Sequence, residues 1–173
     1  RLDRDGLVTG EIVTSGTPSF LYALAYEPFG EIDGTVHRVS PGTVVFHDLR
    51  SEQEIEDLDL LPAALVLSRV VSHPTADIVT CDAGSKSIAA EAGDPCAFVL
   101  GHPELEALTP SEEHLPLRVH EGERPERGST LLLVAMHVCP TVNLAEKALL
   151  IDDGRCVGVV PVRARAHELL PGG

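Results

Sequence analysis

Apolar and β-branched residues fall along this chain in short bursts rather than in long helical stripes. Glu11-Ile12-Val13-Thr14 reads as a short strand. Ser15-Gly16-Thr17-Pro18-Ser19 follows as a turn, and Phe20-Leu21-Tyr22-Ala23-Leu24-Ala25 reads as a helix, with Thr17 as its cap and Pro18 in its first turn. From residue 33 the helical signal fades. Residues 35–39 and 43–47 are β-branched runs divided by Pro41-Gly42. The acidic stretch 51–60 fits a helical turn or a solvated loop. Strands are predicted over 63–72, 76–81, 97–100, 115–119 and 130–136. Residues 148–151 and 156–160 flank Asp152-Asp153-Gly154, a good hairpin turn. Strands at such short, regular spacing predict an antiparallel β domain, closed or sandwiched.

The chain is therefore expected to be mainly β, opened by a single βα step. One such step cannot cover both of its own faces. Residues 1–32 are expected to be the last βα unit of a larger α/β domain lying upstream, and residues 33–173 the β domain. There is no internal repeat and no low-complexity tract.

Composition narrows the function classes. Among 173 residues, 27 are Asp or Glu and only 13 are Lys or Arg, a formal charge of −14. That surface repels phosphate backbones, so a nucleic-acid partner is not expected. Six aromatic residues and no Trp leave little for base stacking. No apolar run approaches membrane-spanning length, and Arg1-Leu2-Asp3-Arg4-Asp5 lacks the character of a signal peptide, so no membrane partner is expected. Cys81, Cys96, Cys139 and Cys156 form no CxxC pair; reduced thiols in a cytoplasm are the expectation. Cys81, Cys96 and Cys156 read as core-filling residues.

The sharpest chemical signal is Met136-His137-Val138-Cys139-Pro140-Thr141-Val142-Asn143-Leu144. Read as the end of a strand closed by Pro140, this run projects His137 and Cys139 to the same side. Imidazole and thiolate are preferred zinc ligands, and two protein ligands leave open positions for catalysis. The competing reading is a packed histidine and an inert cysteine. Ser15, Gly16 and Thr17, before a helix, could cradle an anion, or form an ordinary capped turn. Ser111-Glu112-Glu113-His114 could do acid–base work or be a solvated corner. Asp82-Ala83-Gly84-Ser85-Lys86 could be a functional loop or a turn with Gly84 at positive φ. His37, His47, His73, His102, His120 and His167 have no patterned partners and read as surface or satisfied core residues.

Taken together and in this order, Ser15-Gly16-Thr17-Pro18-Ser19, Pro41-Gly42-Thr43 with Asp48, Ser68-Arg69-Val70, Asp82-Ala83-Gly84-Ser85-Lys86, Ser111-Glu112-Glu113-His114 and His137-Val138-Cys139-Pro140-Thr141-Val142-Asn143-Leu144 resemble the C-terminal part of the D-serine dehydratase / D-threonine aldolase family. The resemblance spans roughly residues 8 to 166. It departs at Val44, where Tyr is expected, at Met136, where Asn is usual, and at Leu115, where Gly is common.

The resemblance implies pyridoxal-phosphate enzymes of the alanine-racemase fold type, a (β/α)8 barrel followed by a β domain, typically homodimeric. On that implication residues 1–32 are the C-terminal remnant of the barrel and residues 33–173 are the D-serine dehydratase-like β domain. Ser15, Gly16 and Thr17 match the phosphate-cradling turn, and His137 and Cys139 match the ligands of a divalent metal, zinc or manganese. The substrate is a small D-amino acid bearing a β-hydroxyl. The family's cofactor-bearing lysine lies on the first barrel strand, and neither lysine here, Lys86 or Lys147, holds such a position. The chain is expected to carry no catalytic residue of its own and to be inactive alone. A cysteine ligand suits zinc and leans toward dehydration to a keto acid and ammonia; a carboxylate there would lean toward manganese and retro-aldol cleavage to glycine and an aldehyde. Two rivals remain: a free-standing β domain that binds a metal or a partner without catalysis, and a pseudoenzyme subunit that completes another chain's barrel.

Overall fold

The computed structural model describes residues 2–6, 9–55 and 59–166. After a 3-10 turn at Leu2–Asp5, the chain forms β1 (Glu11–Thr14), a 3-10 turn at Thr17–Ser19 and α1 (Phe20–Ala25). The β2 strand (Val36–Val39) then returns parallel to β1, in the register Glu11 opposite Val36 through Thr14 opposite Val39. A parallel pair linked through a helix is the βαβ arrangement of α/β proteins. The β1–β2 sheet has only these two strands among the described residues. Val13, Leu21, Tyr22, Leu24 and Val36 are exposed on this unit.

Residues 43–47 are not the strand their β-branched run predicts. Thr43–Val45 is a 3-10 turn, because the Thr43 amide donates to Thr17 Oγ1 at 3.0 Å and the His47 amide turns back to the Thr43 carbonyl at 2.7 Å. His47 itself has a left-handed backbone, φ 58°. The α2 helix (Leu49–Glu54) follows, capped by Asp48, whose side chain accepts from the Ser51 amide at 2.8 Å.

The body is a closed antiparallel barrel of six strands: β3 (Val66–Ser72), β4 (Ile78–Cys81), β5 (Ala97–Val99), β6 (Leu105–Ala107), β7 (Leu115–Val119) and β8 (Thr130–Ala135). Their order around the wall is β3-β4-β7-β6-β5-β8. The expected mainly β architecture is thus observed, in its closed form. Alternate residues point inward, as a strand's period of two dictates: Val79 and Cys81 from β4, Leu115, Leu117 and Val119 from β7, Leu131 and Leu133 from β8. Ile88 from the β4–β5 connection is wholly buried with them. Closure removes sheet edges and lets so short a set of strands hold a single core.

After β8 come α3 (Val138–Leu144) and the hairpin of β9 (Lys147–Asp152) and β10 (Arg155–Pro161). The hairpin turn predicted at 152–154 is present: Asp153 and Gly154 have φ of 45° and 71°, the left-handed pair that matches strand twist. The hairpin lies off the barrel, and its residues, Cys156 included, are almost all exposed. Cys81 and Cys96 are core residues as expected; Cys156 is not, because its strand contributes nothing to the barrel wall.

Candidate metal and cofactor site

His137 and Cys139 do not sit on a strand. The β8 strand ends at Ala135, and residues 138–144 are helical. His137, with φ −132° and ψ 109°, is the extended residue that caps α3, and Cys139 lies in its first turn. The run Val-Cys-Pro-Thr-Val looks β-prone, so the helix needs outside support. The Asp48 Oδ2 supplies it by accepting from the Val138 amide at 2.9 Å across 90 residues of sequence. The Thr141 hydroxyl donates to the His137 carbonyl at 2.9 Å. Pro140 falls within the first turn, where its missing N–H costs nothing. The expectation of two side chains sharing a strand face is therefore replaced by a cap residue and a first-turn residue of one short helix.

The two side chains have different neighbours. The Cys139 thiol is exposed and lies 3.8 Å from the Thr43 hydroxyl. Thr43 in turn bonds Thr17, so the glycine turn, the Pro41-Gly42-Thr43 turn and the start of α3 form one continuous chain of contacts. The His137 ring is about one-third exposed, and its Nδ1 meets the Glu91 Oε1 at 2.6 Å. That contact turns Nε2 to face away from Glu91. An open groove of about 350 Å³ lies against Cys139, lined by Pro140, Val142, Asn143, Val162 and Ala164.

These residues fit a divalent metal in part. An imidazole nitrogen and a thiol sulfur two positions apart are the right donor types for zinc. Among the described residues no group of three or more His, Cys, Asp or Glu side chains is arranged to hold a metal ion. A cation bound here would complete its shell with water, substrate or other donors.

The glycine turn fits an anionic group through its backbone. Ser15 has a left-handed backbone, φ 61°, pinned by the Ser40 amide, which donates to the carbonyls of Ser15 at 3.0 Å and Thr14 at 3.3 Å. Gly16 has an ordinary φ of −80°, and a Cβ there would meet only Pro18 Cδ at 3.9 Å. Nothing among the described residues crowds that position, and the open space would admit a phosphate oxygen. Thr17 is buried and turned toward Thr43; it does not cap the following helix through its side chain, as its sequence position predicts.

The two remaining motifs meet each other instead of the site. The loop 82–86 docks on the corner 111–114: the Ser85 amide donates to the Ser111 carbonyl and the Lys86 amide to that of Glu112. Lys86 Nζ pairs with Glu112 at 2.8 Å and Glu113 at 2.7 Å, which raises its pKa, chiefly through the bond to Glu112. Gly84 does not have positive φ; it is glycine because a Cβ would stand 2.4 Å from the Glu112 carbonyl oxygen. Lys147 is exposed on β9.

Most histidines without patterned partners find ordinary ones. His37 bonds the Thr14 hydroxyl, His73 the Pro125 carbonyl, and His102 and His120 bond Glu104 and Glu106. His47 departs from the satisfied-core reading: it is buried, bonds Glu52 through Nε2, and has no partner for Nδ1 among the described residues. His167 lies outside the described residues. Sequence reading missed Glu91, whose role depends on a loop meeting a helix 46 residues later.

A six-stranded closed barrel, a parallel βαβ unit before it and an imidazole and a thiol at the start of one short helix are the features a family comparison has to account for. Residues 63–151 match the family described as "Putative serine dehydratase domain", which is more than half of the chain. The chain belongs to the D-serine dehydratase / D-threonine aldolase family. It is 30% identical over 168 residues to a D-threonine aldolase of Arthrobacter sp, covering 96% of this chain and 42% of that protein. The chain thus spans about two-fifths of that relative's length. The crystal structure of D-threonine aldolase from Filomicrobium marinum superposes with a TM-score of 0.81 at 24% identity, over 95% of this chain and 43% of that one. A D-threo-3-hydroxyaspartate dehydratase from Delftia sp. gives 0.72 at 21% identity, over 96% and 47%. Two variants of that dehydratase superpose as well: a cysteine-to-alanine mutant in the metal-free form and a histidine-to-alanine mutant.

Proposed function

We propose that this chain is the metal-binding C-terminal portion of a pyridoxal-phosphate- and zinc-dependent lyase that dehydrates small D-amino acids bearing a β-hydroxyl. The single observation that carries the reading is the pair His137 and Cys139 at the start of α3, joined through Thr43 to the glycine turn. The dehydratase variants support the dehydration arm, because their substituted histidine and cysteine also stand two positions apart. Retro-aldol cleavage to glycine and an aldehyde is the second reading, favoured by the 30% identity to an aldolase.

In this reading the opening unit is the end of a (β/α)8 barrel and the six-stranded barrel belongs to the β domain; because β2 pairs with β1, the boundary falls after Val39 and not at residue 32. The parallel β1–β2 pair supports an α/β origin for the opening segment. The cofactor-bearing lysine comes from polypeptide outside this sequence, since Lys86 is engaged by Glu112 and Glu113 and Lys147 stands on the exposed hairpin.

Bound pyridoxal phosphate would supply an electron sink at the substrate Cα, and zinc would supply Lewis acidity at its β-hydroxyl. Ser15, Gly16 and Thr17 would hold the cofactor phosphate through backbone N–H groups, with the left-handed Ser15 setting the turn. His137 and Cys139 would hold the metal, and the Thr43 hydroxyl lies 3.8 Å from the Cys139 sulfur, where it could donate a hydrogen bond to it. The groove at Cys139 could receive the substrate's β-substituent.

The test uses the protein that carries this chain in its natural length. Incubated with D-serine, D-threonine and D-threo-3-hydroxyaspartate, it is expected to release keto acid and ammonia. Glycine with an aldehyde would instead establish the aldolase reading. Metal analysis of the same protein against His137→Ala is expected to show zinc lost on substitution; equal zinc in both would remove the metal assignment.

A further inference from the structure

The contact between Glu91 and His137 has a direction that matters for a ligand. A neutral imidazole has one N–H and one lone pair, and a carboxylate accepts only. In a neutral ring, Glu91 Oε1 at 2.6 Å from Nδ1 favours the tautomer with the proton on Nδ1 and the lone pair on Nε2. Glu91 is not held by accident of its own side chain. It follows Ile88, which is wholly buried in the barrel, and Ala89, whose amide donates to Thr141 Oγ1 at 3.2 Å. Thr141 in turn donates to the His137 carbonyl at 2.9 Å. The loop is thus anchored at both the barrel and α3, and the glutamate is delivered to the ring by backbone contacts that do not involve its carboxylate.

We propose that Glu91 is a positioning residue whose carboxylate fixes the His137 imidazole in the Nδ1–H tautomer and aims Nε2 at a divalent cation. The inference rests on the metal reading above and adds to it the group that selects the ligating nitrogen. A carboxylate behind a ligating histidine raises the ring's basicity and removes its rotational freedom, and losing such a partner typically weakens metal binding by about 10- to 100-fold. Glu91 is half exposed, so replacing it leaves the core untouched.

The experiment compares wild type, Glu91→Gln and Glu91→Ala in the natural-length protein, with two readouts. The first is zinc affinity, by competition with a chromophoric chelator. Binding is expected to weaken by about 10- to 100-fold in Glu91→Ala, with partial recovery in Glu91→Gln, which keeps an acceptor oxygen. The second is the His137 tautomer in the metal-free protein, from long-range ¹H–¹⁵N correlations; the Nδ1–H form is expected to dominate in wild type and to lose its excess in Glu91→Ala. Unchanged zinc affinity together with an unchanged tautomer ratio would overturn the role of Glu91 while leaving the metal site standing. No zinc in wild type would instead remove the underlying metal reading, and the tautomer measurement would still decide what Glu91 does to the ring.

Discussion

The Asp48 carboxylate caps two helices at once: one oxygen accepts from the Ser51 amide of α2 at 2.8 Å, the other from the Val138 amide of α3 at 2.9 Å. Asp48 is 1% exposed, and Val138 is buried beside it. A negative charge shared between two helix N-termini is favourable at both, and it fixes the backbone between His137 and Cys139.

Asp48 therefore offers a graded test. Asp48→Ala removes both bonds and leaves the Val138 amide buried without an acceptor, and is expected to cost about 2–4 kcal/mol by combining a lost cap with an unsatisfied donor. Asp48→Ser keeps a serviceable cap for α2 but cannot reach Val138. It is expected to recover part of the stability while zinc binding stays weak. Urea unfolding beside metal titration checks this; full recovery of zinc binding in Asp48→Ser would separate Asp48 from the site.

Gly84→Ala is expected to be destabilising by about 1–3 kcal/mol, because overpacking against backbone cannot be relieved by a side-chain rotation. The new methyl would meet the Glu112 carbonyl oxygen at 2.4 Å. The corner 111–114 would have to retreat, breaking the amide bonds of Ser85 and Lys86 to it. Thermal unfolding of the single variant measures this. A neutral result would mean that the two loops are not in contact in solution.

The cysteines should divide by burial. Burial pushes the Cys81 thiol up to about 11, against a smaller opposing effect of the Ser68 hydrogen bond, and burial raises Cys96 too. Thiolate is the reactive form, so neither should alkylate in the folded protein at about pH 8. Cys139 and Cys156 are exposed and should both react with iodoacetamide. Zinc should protect Cys139 and leave Cys156 reactive, which peptide mapping would resolve. Reaction of Cys81 before unfolding would contradict the closed barrel.

Asp82 should contribute to acid sensitivity. The Arg69 amide at 2.7 Å and the Ser68 hydroxyl at 2.8 Å hold its carboxyl below the ordinary value of 3.8, the Arg69 bond being the larger cause. A depressed carboxyl stabilises the fold above the unfolded-state pKa, and that stability fades as pH falls through the lower folded value. Asp82→Asn is thus expected to be less stable than wild type at neutral pH, with the gap narrowing below about pH 4. The effect is small because the side chain is largely solvated. Urea midpoints at neutral and acid pH would show it; a gap that widens on acidification would contradict the assigned bonds.

Local pattern made much of the architecture legible. Val79, Cys81, Leu115 and Leu117 alternate with less buried neighbours, and that period of two announces half-buried strands wherever it occurs. The Asp152-Asp153-Gly154 turn is legible for the same reason, since its left-handed pair depends only on the residues that form it. The β6 strand escaped because Leu105-Glu106-Ala107 is too short to show a period. Residues 43–47 misled because the Thr17 hydroxyl, far off in sequence, turns a β-prone run into a 3-10 turn.

Local sequence alone determined the strand-rich composition of the body, the opening βα step and the presence of an imidazole and a thiol two positions apart. Tertiary structure alone decided that the wall closes, that those two residues begin a helix instead of ending a strand, and that Glu91 meets the ring. Periodicity and turn chemistry act between neighbours, and so they are written in the order of residues. Capping by Asp48 and pairing with Glu91 act across 90 and 46 residues, and only the packed barrel brings those partners within hydrogen-bond reach.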